Sequence, residues 1–296
     1  MESIKILTRP DLQKPHLIAG FLGWPNAGEV SSGVLRYLIQ KLSGRKFAEI
    51  NWEEYFNACD HRPSAVVKDG LVVKVVLPEN SFYYSNVSPP LILFLGEEPQ
   101  FRWRGYSAAF LDLCEELQVR TIFTVGGTLD YVLHSAQPKI SGLVNHPKLI
   151  LPLGQLSVHP AEYNGPMSIH TCIMEEAGKR NIPCISLWGH APIYIQTGHV
   201  RVFISIIEVI DSILGLDLDY SDLESTCAEL DRQIDQLIGE NPKLQEYLNA
   251  LKAQAGYLSP NAPKKYPKVK GGGKIIKLEE FLKRHPDKIG PAEGLD

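Results

Sequence analysis

Cysteine is scarce in this chain and shows no pattern. The five residues, Cys59, Cys114, Cys172, Cys184 and Cys227, form no C-x-x-C pair. An odd, scattered set argues against a disulfide framework and fits reduced thiols of a cytosolic protein, packed as small hydrophobes. Neither sign of charge is in excess: the formal net charge is −4, which gives no electrostatic case for nucleic acid or a membrane surface. No apolar run approaches the length of a bilayer span. The opening "MESIKILTRP" has no apolar core of the kind a secretory signal needs, so the expected location is cytoplasmic. The nine histidines include no H-E-x-x-H and no H-x-H, and there is no G-x-G-x-x-G. Neither a metal site nor a dinucleotide site is indicated, and no cofactor is expected.

What is present is the composition of an ordinary globular protein, 44% hydrophobic and 22% charged. A length of 296 residues allows one large or two medium domains. "HLIAGFL" (16–22), "LILFLG" (91–96), "TIFTVGG" (121–127) and "IPCISLWG" (182–189) are short apolar runs that read as strands covered on both faces. "KFAEIN" (46–51) and "LVVKVVL" (71–77) are further strand candidates. Between them lie helical stripes: Val30, Val34 and Leu38; Tyr106, Phe110, Leu113 and Leu117; Ile169, Ile173 and Ala177, this last preceded by Pro166 as a first helical residue. "VRVFISIIEVIDSILG" (200–215) is apolar nearly all round, and its surplus calls for cover by a helical hairpin, another subunit, or both. Strand and helix alternate through residue 215, which predicts an α/β fold: a three-layer, mostly parallel sheet with helices on both faces.

After Gly215 the pattern changes. Ser221 and Glu224 read as a capping box, and Leu223, Cys227, Leu230, Ile234 and Leu237 step by 4, 3, 4, 3, a narrow seam. Asn241 and Pro242 end that helix and start another. The expected organisation is a core domain (1–218), a helical hairpin (219–256) and a linker with surface tail (257–296). From residue 259 the tail carries nine Lys or Arg against five Asp or Glu, and "KLEEFLKR" (277–284) could form one short helix.

Chemistry is sought where the loops follow the strands. "GFLGWPNAGEVSSG" (20–33) has Gly23 and Gly28 at P-loop spacing, but Glu29 stands where a lysine would reach the phosphates. That argues against a working NTPase loop and favours a tight turn shaped by Gly23, Asn26 and Gly28, with a small neutral or weakly anionic ligand at its helix N-terminus as the alternative. "TVGGTLDY" contributes Gly126 and Gly127, "EYNGPMS" contributes Asn164 and Gly165, and "WGHAPIYIQTGH" contributes His190 and Tyr194. Converging at one sheet edge, these would line a ligand pocket. His190 and His199 are the candidate metal pair, with hydrogen-bonded histidines the plainer reading. No catalytic residue is identified. "GYSAA" (105–109) is an incomplete nucleophile elbow, ten residues past its strand. The paired glutamates at 97–98, 115–116, 175–176 and 279–280 read as solvated.

In this order, "GFLGWPNAG", "VGGTLD", "YNGPMSI" and "WGHAPIYI" resemble the proteasome assembly chaperone family, in the branch of its second subunit, over about residues 15–250. The resemblance implies a three-layer α/β core similar to purine nucleoside phosphorylases and related hydrolases, a closed homo-oligomer, no established enzyme activity and no catalytic set. It leads us to expect an oligomeric assembly or scaffold protein, a trimer, with a protein partner not named by the sequence. The alternative is an enzyme with a phosphorylase- or hydrolase-like pocket at the four loops; an ATP-dependent ligase is weaker still. Some archaeal members end in a hydrophobic–tyrosine–any tripeptide that docks on the proteasome. This sequence ends "GLD", which puts that docking mode in doubt.

Overall fold

The computed structural model describes residues 3–78, 80–195 and 198–255. The expected tail and its short terminal helix lie outside these residues. Four strands run parallel at the centre of a nine-stranded sheet: β7 (Leu91–Glu97), β2 (His16–Leu22), β8 (Ile122–Asp130) and β11 (Cys184–Pro192). These are the four runs with the least polar interruption, as strands covered on both faces require. The flanks turn antiparallel. β6 (Asn80–Ser85), β3 (Arg45–Ile50) and β1 (Ile4–Ile6) extend one side, and β9 (Ile140–Val144) extends the other, carrying β10 (Val158–Pro160) parallel to itself. The sheet is therefore mixed, with its parallel part confined to the middle.

Alternation along the strands sorts side chains into two cores. Leu17, Ala19 and Phe21 face one way with Phe94, against α2 (Trp103–Glu116) and α4 (Ile169–Lys179). Ile18, Leu93, Val125 and Leu187 face the other, against α1 (Val30–Lys41) and α5 (Val200–Leu214). Each of these buried leucine, isoleucine, valine and phenylalanine side chains contributes about 1.5–3 kcal/mol. A short α3 (Ile150–Gln155) lies between β9 and β10.

The surplus apolar surface of α5 is satisfied within the chain. Val202, Phe203, Ile206, Ile207, Val209 and Ile210 are buried, and only Glu208 and Ser212 are exposed along it. α6 (Ser221–Gly239) lies over α5, and α7 (Pro242–Ala255) folds back on α6. Gly215, at φ +66°, ends α5 with its N–H on the Asp211 carbonyl. The pair of helices is fastened by Asp222, which accepts from Tyr37 Oη at 2.9 Å and Lys41 Nζ at 3.2 Å, by the Arg201–Asp231 ion pair, and by His134 on Asp235. An α5 left open for another subunit is thus not what the structure shows.

Two local starts differ from expectation. Ser221 lies inside α6, so the capping box does not form; the Asp219 carboxylate accepts the Ser221 N–H instead, at 3.0 Å. α4 begins at Ile169 after Ser168, leaving Pro166 in the preceding loop, because the Glu98 carboxylate takes the Ile169 N–H at 2.9 Å and fixes the first turn there. Asn241 does cap α7, accepting from Leu244 N.

The segment 71–77 is not part of the main sheet. β4 (Ser64–Lys68) and β5 (Leu71–Val76) form a separate two-stranded ribbon, every residue of which is exposed. Leu71 is 70% exposed, Val72 65% and Val75 59%. Its valines report strand propensity without burial in the core.

Candidate functional site at the loop edge

The opening loop folds onto itself and its neighbours. Gly23 has φ +94° and Gly28 φ +61°, both in the region that favours glycine. The Asn26 side chain takes the place a phosphate would fill at the start of α1: its Oδ1 accepts the Ser32 N–H at 2.9 Å and its Nδ2 donates to Ser32 Oγ at 3.0 Å. Asn26 also pairs with Gly127 in an isolated parallel bridge, and the Gly127 N–H donates to the Pro25 carbonyl at 2.7 Å. A β-carbon on Gly127 would lie 2.1 Å from the Ala27 carbonyl oxygen, and one on Gly28 would lie 2.5 Å from Ala191 Cβ. Gly126 passes under the Trp188 ring with the same lack of room. These glycines serve close packing of one loop on the next.

Glu98 is a residue the sequence reading assigned to solvent. Just past the end of β7 it is half-buried, and it accepts N–H groups from both Trp24 and Ile169. It ties the first loop to the start of α4. Burial, the larger influence, raises its pKa against the pull of those two bonds. Its neighbour Glu97 is also engaged, receiving His61 Nδ1 at 3.0 Å. Asn164 and Gly165 sit in the exposed segment before α4, where Tyr163 Oη donates to the Pro166 carbonyl.

The two β11-side candidates part company. Successive residues of β11 face opposite cores: Gly189 and Ala191 meet α1 and α5, while His190 faces the side of α4 with Trp188. His190 Nδ1 lies 2.8 Å from Asp130 Oδ2, and His190 Nε2 lies 2.7 Å from Ser141 Oγ. Asp130 also receives Lys139 Nζ at 3.2 Å and the Tyr131 N–H at 2.7 Å. Burial opposes its ionisation, but the His190 bond, the Tyr131 bond and the Lys139 charge together hold the carboxyl well below the usual range. Ser141 and Asp130 carry no motif: they come from separate strands, 49 and 60 positions from His190. Only β-sheet register brings them together.

Tyr194 belongs instead beneath the helical pair. Its hydroxyl accepts the His134 N–H at 2.7 Å and contacts His134 Nδ1, and its ring meets Tyr247 edge-on. With His199, Arg201, Cys227 and Asp231 it lines a cavity of about 40 Å³ between the end of β11 and α6, the size of a bound water. His199 is buried, neither ring nitrogen has a partner among the described residues, and burial holds its pKa down at about 4. His190 is thus held by Asp130 and Ser141 while His199 lies in the cavity under α6, and among the described residues the two do not come together as a metal pair.

Ser107 of "GYSAA" is fully buried in α2, which excludes it as a nucleophile. Cys114, Cys172, Cys184 and Cys227 are buried, as small hydrophobes are; Cys59 is exposed. Among the described residues no helix is long and apolar enough to cross a membrane.

Comparison with known proteins follows the same geography. No curated protein matches the chain. A protein of unknown function from Corynebacterium glutamicum ATCC 13032 superposes with a TM-score of 0.78 at 19% identity, over 86% of this chain and 97% of that one. A proteasome-assembly chaperone homologue of Mycobacterium tuberculosis gives 0.72 at 22%, over 78% and 99%. An archaeal proteasome activator of Pyrococcus furiosus gives 0.64 at 23%, over 80% and 99%. At these identities the likeness is one of fold. The model of the PAC2 family matches residues 20–238, from the opening loop through most of α6. On a match of that extent, and with the loop order expected from the sequence, the chain belongs to the PAC2 family.

Proposed function

We propose that this protein is an oligomeric assembly or scaffold protein that acts through its surfaces, in the cytoplasm, and that its first partner is a second copy of itself. The observation that carries this reading is the β4–β5 ribbon. Two strands alone are marginal in water, and this ribbon exposes Val66, Val67, Leu71, Val72, Val73, Val75 and Val76 with unpaired edges. Apolar surface concentrated in this way marks a protein contact. A ribbon laid on the neighbouring copy satisfies its edges, and repetition by rotation closes a ring without open-ended growth; we propose three copies.

The loop edge supports the same reading. Its rim exposes Trp24, Leu129, Tyr163, Met167 and Ile193, a broad apolar surface suited to a protein partner. The likeness to a proteasome-assembly chaperone homologue and to a proteasome activator points to assembly of other proteins as the class of work. Sedimentation of the full chain beside the ribbon variant V67E/V72E tests the proposal. A multi-subunit species that the variant dissociates while keeping its fold supports it; a monomer in both overturns it.

A further inference from the structure

Ser141, His190 and Asp130 make a connected relay with defined proton positions. The lowered Asp130 carboxyl is an acceptor, so the proton of the His190–Asp130 bond sits on Nδ1 and is donated to Oδ2. Nε2 then presents its lone pair, and the Ser141 hydroxyl donates to it across 2.7 Å. This is the tautomer that general-base activation of a serine needs, with the carboxylate holding the ring in place. A serine that only packs would find a carbonyl or water as partner. Here it is aligned on an imidazole whose other nitrogen a carboxylate holds. The group is also reachable: the His190 side chain is 11% exposed and that of Asp130 19%. Trp188 lies opposite Ser141 in the β9–β11 register, so its ring sets apolar surface on the same sheet face as the hydroxyl.

We propose that Ser141 is an activated nucleophile for short-chain carboxylic esters at the surface, with His190 as general base and Asp130 as its positioning residue. The Ser141 oxygen forms a bond to the acyl carbon while its proton passes to His190 Nε2. The carbon–oxygen bond to the leaving alcohol breaks, and the alcohol takes that proton. Water then attacks the acyl carbon and gives a proton to His190 Nε2; the bond from the acyl carbon to Ser141 Oγ breaks, and Oγ takes that proton, which releases the acid and restores the serine and the neutral imidazole. The sum is ester plus water to acid plus alcohol, with no further reactant. General-base assistance of this kind supplies rate gains on the order of 10²–10⁴-fold.

The test uses the full chain with p-nitrophenyl acetate and a fluorophosphonate probe. The expected result is slow, saturable hydrolysis and a single adduct mapped to Ser141 by peptide mass. S141A should bring both to background. D130N should lower kcat at least about tenfold with KM unchanged, because it reverses the ring tautomer while leaving the substrate surface intact. Unfolding midpoints of both variants establish that they are folded. No adduct at Ser141 on the folded wild-type protein overturns the proposal, as does labelling that D130N leaves unchanged.

Discussion

Acidification should loosen this protein well before its carboxylates titrate. His170 and His199 are both buried, and burial is the first cause of their lowered pKa values, about 3 and about 4 against a reference of 6.5. Each is neutral in the fold and takes a proton in the unfolded chain below 6.5. Unfolded chains therefore bind more protons throughout that window, so stability falls as the pH falls from 6.5 towards 4. From 6.5 to 5 is 1.5 units, and 1.36 kcal/mol per unit gives about 2 kcal/mol lost at each histidine, about 4 kcal/mol together. Glu98 works in the opposite sense, since its raised pKa favours the folded state as it protonates. Urea denaturation at pH 7 and pH 5 measures the wild-type loss, and the double variant H170Q/H199N separates these two histidines from the other titrating groups, His16 among them, whose pKa burial and Arg120 also lower. The variant should lose most of the pH 7-to-5 difference. A wild-type stability equal at both pH values, or a difference that the variant retains in full, refutes the argument.

Three further outcomes follow from the loop edge. G127A places a β-carbon against the Ala27 carbonyl and should lower stability by about 1–3 kcal/mol, read as a shift in urea midpoint with unchanged slope. N26A removes the group that accepts the Ser32 N–H and should cost about 0.5–2 kcal/mol by the same assay. Isothermal titration with Mg-ATP should give no saturable heat in the micromolar range, because Asn26 fills the start of α1 and Glu29 adds a negative charge.

The core was legible in the sequence where periodicity and burial agree. The runs at 16–22, 91–96, 121–127 and 182–189 became the four parallel strands, and the stripes of Val30–Leu38 and Ile169–Ala177 became α1 and α4. The Gly23–Gly28 turn and the glycine pair at 126–127 were legible because a missing β-carbon leaves a mark in sequence. What sequence did not carry was pairing direction and register. "LVVKVVL" has the pattern of a core strand, yet its contacts lie outside the main sheet. The Ser141–His190–Asp130 group depends on three strands meeting at one level, which no spacing encodes. Glu98 looked solvated because its partners are backbone N–H groups of distant loops.

The central claim is that the protein works as an assembly of copies joined through the exposed ribbon. Sedimentation equilibrium of the full chain at micromolar concentration measures this directly. The account predicts a species of three chains, each 33.0 kDa, reduced to one chain by V67E/V72E. A single 33.0 kDa species in the unmodified protein would contradict it.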